Sequence, residues 1–306
     1  MTNEELREEI KRLKAEREAV ILAHNYMRSE VQEIADYIGD SLGLSLEARD
    51  APQPVIVFCG VSFMAETAKL LSPDKTVLHP VPYARCPMAD MVSVDDVLAE
   101  RAIYPAASVL SYINTNADVK AVFDLICTSR NAVRIADALD ERDIIFLPDE
   151  NLALYVAGKL PGKRIIPGKG FCYVHADMTA QDVLDSRKAH PEAIVVVHPE
   201  CPPEVCSLAD RVASTGEMVD LARSLDAREF IIGTELGMIE RLAKMFPDKR
   251  FYTLGPARIC HNMKKITLEE VYNSLLHMRY QVEIDPKVAE GARRAVERMF
   301  EIGARK

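Results

Sequence analysis

The runs AVILAHNYM (residues 19–27), SVLSYINTN (108–116) and AIVVVHPEC (193–201) decide the fold, because one pattern returns three times. In each, an apolar stretch of strand length stops at a polar ring, His24, Tyr112 or His198, and these stops lie 88 and 86 residues apart. Three cysteines keep almost the same interval, Cys86, Cys172 and Cys260 being separated by 86 and 88 residues. Even spacing among seven cysteines can arise by chance, and a free cysteine is often only a buried hydrophobe. A period shared by strands and thiols is the signature of an internal repeat.

Further elements follow each run. A second apolar stretch comes in PVIVFCGVS (54–62), VFDLICTS (122–129) and EFIIGTE (229–235), and each precedes a helical pattern: FMAETAKLL, RNAVRIADAL and LGMIERLAKMF. A third short strand is expected at TVLHP (76–80), DIIFLP (143–148) and RFYTLGP (250–256). The middle unit departs from its neighbours. It lacks the longer helical segments expected at 29–49 and 202–224 and carries a tail, NLALYVAGKLPGKRIIPGKG (151–170), before its cysteine. Strands alternating with helices predict parallel sheets covered by helices, so the fold class is α/β: three similar α/β/α domains in pseudo-threefold arrangement. The expected boundaries are 1–87, 88–173 and 174–262, followed by a helical C-terminal segment, 263–306, around a strand-like RYQVEI (279–284).

In parallel sheets, ligands bind beyond the carboxyl ends of the strands, beside helix N-termini that favour anions. Those ends carry His24, Tyr26, Tyr112, Asn114, His198 and Glu200, and short hydroxyl residues at helix starts, Ser41, Ser129 and Thr215, can add O–H and N–H donors. A surface or capping role is the ordinary explanation of any one of them. Six polar residues at equivalent places point instead to one central cleft. Cysteines so far apart cannot form a local metal knuckle, so the fold must bring them together. Cys59 and Cys127 lie in apolar strands and read as structural, Cys201 and Cys206 lack the spacing of a redox pair, and no catalytic role falls to Arg258, Lys264 or Lys265.

The 306 residues carry 38 Lys plus Arg against 47 Asp plus Glu, a net charge of −9, which argues against general nucleic-acid binding. No apolar run approaches the roughly 18 residues that span a bilayer, and the N-terminus MTNEELREEIKRLKAERE reads as a charged amphipathic helix rather than a signal peptide. The expected location is the cytoplasm, where cysteines stay reduced and available to metal.

Taken in order, AHNYM, GDS (39–41), CPMADM (86–91), SYINTN, CTS (127–129), GFCYVH (170–175), VHPEC, STGEM (214–218) and ICHNMKKITLE (259–269) resemble the quinolinate synthase family, the A protein of bacterial and archaeal NAD biosynthesis. The resemblance implies three α/β/α domains around a 4Fe-4S cluster held by Cys86, Cys172 and Cys260, with one iron left open. An open iron suits Lewis-acid chemistry rather than electron transfer. It further implies condensation of iminoaspartate with dihydroxyacetone phosphate to quinolinate, with loss of phosphate and water, and a functional link to the enzyme supplying iminoaspartate. On that reading Tyr26 and Tyr112 move protons, Glu200 acts on a substrate hydroxyl, and His24 and His198 orient anionic substrates. Ser129, Thr215, Asn114 and His198 face the dicarboxylate, and His24 with Ser41 the phosphate. Two rivals are another 4Fe-4S dehydratase or lyase acting on a small hydroxy acid, and a non-catalytic three-domain binding protein.

Overall fold

The computed structural model describes residues 1–304. In the first third, α1 (Asn3–Glu16), β1 (Ala19–His24), α2 (Ser29–Ile34), β2 (Tyr37–Gly39), α3 (Ser41–Asp50), β3 (Val55–Cys59), α4 (Ser62–Leu71) and β4 (Thr76–Leu78) follow one another. The second third repeats the order: α5 (Val94–Ile103), β5 (Ser108–Tyr112), α6 (Ala117–Lys120), β6 (Leu125–Cys127), α7 (Ala132–Asp137), β7 (Asp143–Leu147), α8 (Glu150–Lys159) and β8 (Arg164–Pro167). After the single turn α9 (Tyr173–Ala176) come α10 (Ala180–Ala189), β9 (Ile194–Val197), α11 (Pro203–Leu208), β10 (Arg211–Val212), α12 (Thr215–Ser224), β11 (Glu229–Gly233), α13 (Leu236–Met245) and β12 (Arg250–Thr253). Each third forms one parallel four-stranded sheet, in the orders β2-β1-β3-β4, β6-β5-β7-β8 and β10-β9-β11-β12. The inner strands β1 and β3 are buried along their whole length, as helix-covered parallel strands must be.

The middle unit does not depart from the others. VFDLICTS forms β6, which pairs with β5 on the side where β2 and β10 sit, so its counterparts are those edge strands rather than β3 and β11. DIIFLP forms β7, the true equivalent of β3 and β11, and the supposed tail supplies α8 and β8. The edge strands β2 and β10 are partly exposed and give no apolar run, whereas β6, equally short, is buried throughout and does.

A repeated polar frame sets the register. Asp36, Asp124 and Asp210 each stand just before the edge strand and accept a first-strand N–H, from Ile21 (2.8 Å), Val109 (2.9 Å) and Val195 (2.8 Å). Each carboxylate also meets a cation from the unit's first helix: Lys14, Arg101 or Arg187. Lys75 and Lys249 donate to carbonyls at the ends of α3 and α12, satisfying acceptors that a helix leaves open, and Lys163 donates to Leu139 O and Glu141 O in the loop after α7.

Seven residues beyond each thiol, Ser93, Thr179 or Thr267 caps the next helix, namely α5, α10 or α14 (Leu268–His277). Helix α14 thus begins a fourth repeat and packs on α1 and β3, while α15 (Pro286–Ala304) lies across α4, α6 and β6. The stretch RYQVEI is no strand: it makes one antiparallel bridge, Gln281 to Leu78, and the left-handed backbone at Met278 and Tyr280 breaks the extended run.

Candidate active site

All twelve residues singled out from the sequence line one cavity. They form four rings of three, one member per unit. His24, Tyr112 and His198 end the first strands or follow them directly, and Tyr26, Asn114 and Glu200 stand two residues further on. Ser41, Ser129 and Thr215 lie at or just before the third helices α3, α7 and α12. The cysteines complete the set.

Each cysteine loop is fixed by the same bond. The backbone N–H of the first residue of α4, α8 and α13 donates to the carbonyl two residues before the cysteine: Ser62 to Ala84 (2.9 Å), Glu150 to Gly170 (2.8 Å) and Leu236 to Arg258 (2.9 Å). A single helical turn then follows each thiol, at Met88–Met91, Tyr173–Ala176 and Met263–Lys265. In two of these turns a backbone N–H donates to the carbonyl of the cysteine itself, from His175 to Cys172 (3.1 Å) and from Lys264 to Cys260 (3.1 Å). Burial pushes the Cys86 thiol up to about 12 and raises Cys172 and Cys260 as well. A cation bound among these thiols would convert them to thiolates. Cys172, His175 and Glu200 also place ligand atoms within 4.8 Å of one another, a group able to hold a metal ion.

The imidazoles of His24 and His198 share a local turn. Tyr26 N donates to His24 Nδ1 (3.2 Å) and Glu200 N to His198 Nδ1 (3.3 Å), which leaves the proton of each neutral ring on Nε2. Burial lowers both to about 3, so they are neutral donors at physiological pH.

Between them lies a polar chain that the sequence did not disclose. Tyr26 Oη meets Thr234 Oγ1 at 2.6 Å, Thr234 meets His175 Nε2 at 2.8 Å, and His175 Nδ1 approaches Glu200 Oε2 to 2.9 Å, though without the alignment of a full hydrogen bond. Tyr112 O–H donates to Glu200 Oε1, the other oxygen of the same carboxylate. His175 also stacks on His198, with ring centroids 4.7 Å apart. Burial opposes ionisation of Glu200, but the adjoining imidazoles and the Tyr112 hydroxyl outweigh it and hold the carboxyl below its ordinary range. Because His198 is neutral, the contacts with His175 and Tyr112 carry that effect. Burial, with the Glu200 charge, drives Tyr26 and Tyr112 well above the usual phenol value.

Lys264 is not a merely solvated cation. Its Nζ donates to the Tyr26 carbonyl (2.6 Å) and pairs with the fully buried Glu235 (3.0 Å), which in turn accepts the Cys260 N–H (3.1 Å). One ion pair thereby ties the third cysteine loop to the Tyr26 turn. Arg258 serves structure, binding Asp177 O and Asp182. Cys59, Cys127 and Cys201 are buried and Cys206 is half-buried, and none of the four lines the cavity.

The family model described as "Quinolinate synthetase A protein" matches residues 8–301. This chain belongs to the quinolinate synthase family. It is 51% identical to a quinolinate synthase of Caldicellulosiruptor saccharolyticus over 99% of this chain and 100% of that protein. Identity is 50% to a quinolinate synthase of Thermococcus onnurineus, over 99% and 100% of the two chains. With the protein named quinolinate synthase 2 of Methanosarcina acetivorans it is 47%, over 96% and 95%. Membership in the quinolinate synthase family makes the chain an enzyme and speaks against both rival readings. No helix among the described residues is long and apolar enough to cross a membrane.

Proposed function

We propose that the chain condenses iminoaspartate with dihydroxyacetone phosphate to quinolinate, releasing phosphate and water, in the cavity where the four rings meet. The observation that carries this reading is the convergence of three clustered thiols with a buried Glu200, two phenols and three short hydroxyls on one cavity. Both substrates are anionic, and the cavity offers the donors such substrates need. His24 and Ser41 face the phosphate, and Asn114, Ser129, His198 and Thr215 the dicarboxylate. The neutral rings donate through Nε2 without introducing a buried charge.

Cys86, Cys172 and Cys260 would hold a 4Fe-4S cluster, three thiolates serving three irons. The fit rests on the donor set itself: three thiols on one cavity, with Glu200 and His175 beside Cys172. When bound, such a cluster supplies an open iron as a Lewis acid for loss of hydroxyl. The side chains divide the proton work. Glu200, ionised at neutral pH, accepts protons, while Tyr26 and Tyr112, held protonated, deliver them to departing oxygen. Tyr26, Thr234 and His175 form one hydrogen-bonded run whose far end stands 2.9 Å from Glu200.

The same reading takes residues 1–87, 88–173 and 174–262 as domains with 263–306 as an added segment, places the enzyme in the cytoplasm, and links it to an enzyme producing iminoaspartate. The test is an anaerobic assay of the iron-loaded protein with iminoaspartate and dihydroxyacetone phosphate. Appearance of pyridine-2,3-dicarboxylate supports the reading, and turnover without that product refutes it.

A further inference from the structure

We infer that Asn25 and Arg241 are positioning residues that fix Thr215 as a hydrogen-bond donor toward an anionic group of the ligand. Asn25 lies between His24 and Tyr26 and is fully buried, and its Nδ2 donates to Thr215 Oγ1 at 2.8 Å. Its Oδ1 accepts from Arg241 Nη1, while Nη2 of the same guanidinium donates to Ile38 O at 3.0 Å. A guanidinium has donors only, so the amide can face it only through its oxygen. The NH₂ group is thereby turned to Thr215. With Oγ1 accepting from Asn25 and no protein acceptor for its own proton among the described residues, the Thr215 hydroxyl directs that proton into the cavity it lines.

The arrangement breaks the threefold pattern. Ile113 and Pro199 stand where Asn25 stands and carry no amide, and the hydroxyls equivalent to Thr215, on Ser41 and Ser129, have no side-chain partner among the described residues. One of three equivalent hydroxyls therefore has a set direction. A carboxylate accepts without donating, so a hydroxyl fixed as donor favours it over a neutral hydroxyl or amide in that place. This inference rests on the proposed function, which places Thr215 at the dicarboxylate end.

The test uses the anaerobic, iron-loaded enzyme, with quinolinate as the probe and calorimetric titration as the readout. Asn25→Asp keeps the side-chain shape and the Arg241 contact, but its carboxylate only accepts, so Thr215 must turn its proton inward. Quinolinate affinity is expected to fall about 10- to 100-fold, the range for a lost hydrogen bond to a charged group. The KM for iminoaspartate should rise by a similar factor while kcat changes by less than about threefold, since the lost contact is one of uniform binding. In a Thr215→Val background the same substitution should change affinity by less than about threefold, because the hydroxyl it acts through is gone. Losses of equal size in both backgrounds would mean that added charge, not bond direction, is responsible, and would overturn the inference. Wild-type affinity in Asn25→Asp would do the same. Arg241→Met, which frees the amide to turn over, is the second variant. It should weaken quinolinate only while Thr215 is present, and an additive loss counts against the relay. A wild-type enzyme that binds no quinolinate overturns both this inference and the function beneath it. Normal wild-type binding with additive losses overturns this inference alone.

Discussion

Tyr112 donates to Glu200, His175 approaches the other carboxylate oxygen, and Thr234 carries the contact on to Tyr26. Tyr26 ends that chain, so Tyr26→Phe removes its proton while leaving the ring and the cysteines in place. Turnover should drop by about 10² to 10⁴, the usual worth of a general acid, with iron content unchanged. Iron lost in step with activity would show that the phenol serves structure instead. Lys264→Met leaves Glu235 buried without its cation and should destabilise the fold by about 3–5 kcal/mol in urea denaturation. An unchanged midpoint would remove the ion pair from the account. His24, His79 and His198 all sit below the ordinary histidine value, chiefly through burial. Below pH of about 6.5 the unfolded chain takes up protons that the folded rings refuse, so stability is complete above that pH and declines as the pH falls through it. Thermal melting from pH 8 to pH 5 should show Tm falling on the acid side, less steeply in His79→Gln, and a Tm that rises toward acid would contradict the sign. At this scale the sequence disclosed the cavity's lining but not its supports. His175, Thr234, Asn25 and Lys264 act through partners 25 or more residues away, a separation that no local pattern records.

At the scale of elements, the inner strands were legible because helix-covered parallel strands are continuously apolar. Edge strands β2 and β10 were not, being partly exposed, and their omission displaced the middle unit's alignment by one strand. A polar signal would have corrected it: Asp36, Asp124 and Asp210 recur at 88 and 86 residues, the same steps as His24, Tyr112 and His198. That carboxylate ties a strand N–H to a cation on the unit's first helix. Asp124→Ala should therefore cost about 1–3 kcal/mol of stability by denaturant titration, through the stranded Val109 N–H, without altering affinity for quinolinate. A loss of binding at unchanged stability would mean that the repeat serves the site rather than the sheet.

Across the whole molecule, three sheets turn their strand ends toward one cavity and three equivalent hydrogen bonds deliver one thiol from each. The repeat explains why residues nearly a hundred positions apart occupy corresponding places, and why each ring of three can be specialised. Where His24 and His198 keep an imidazole, the middle unit offers Tyr112, and where units one and three carry Tyr26 and Glu200 it offers Asn114. Symmetry supplies the convergence, and divergence within it supplies the chemistry. The most direct test is the iron and acid-labile sulfide content of protein reconstituted without air. About four of each per chain are expected, lost alike in Cys86→Ser, Cys172→Ser and Cys260→Ser and retained when Cys59, Cys127, Cys201 or Cys206 is replaced. A wild-type chain that takes up no iron, or one that keeps its full complement after any of those three substitutions, would contradict the account.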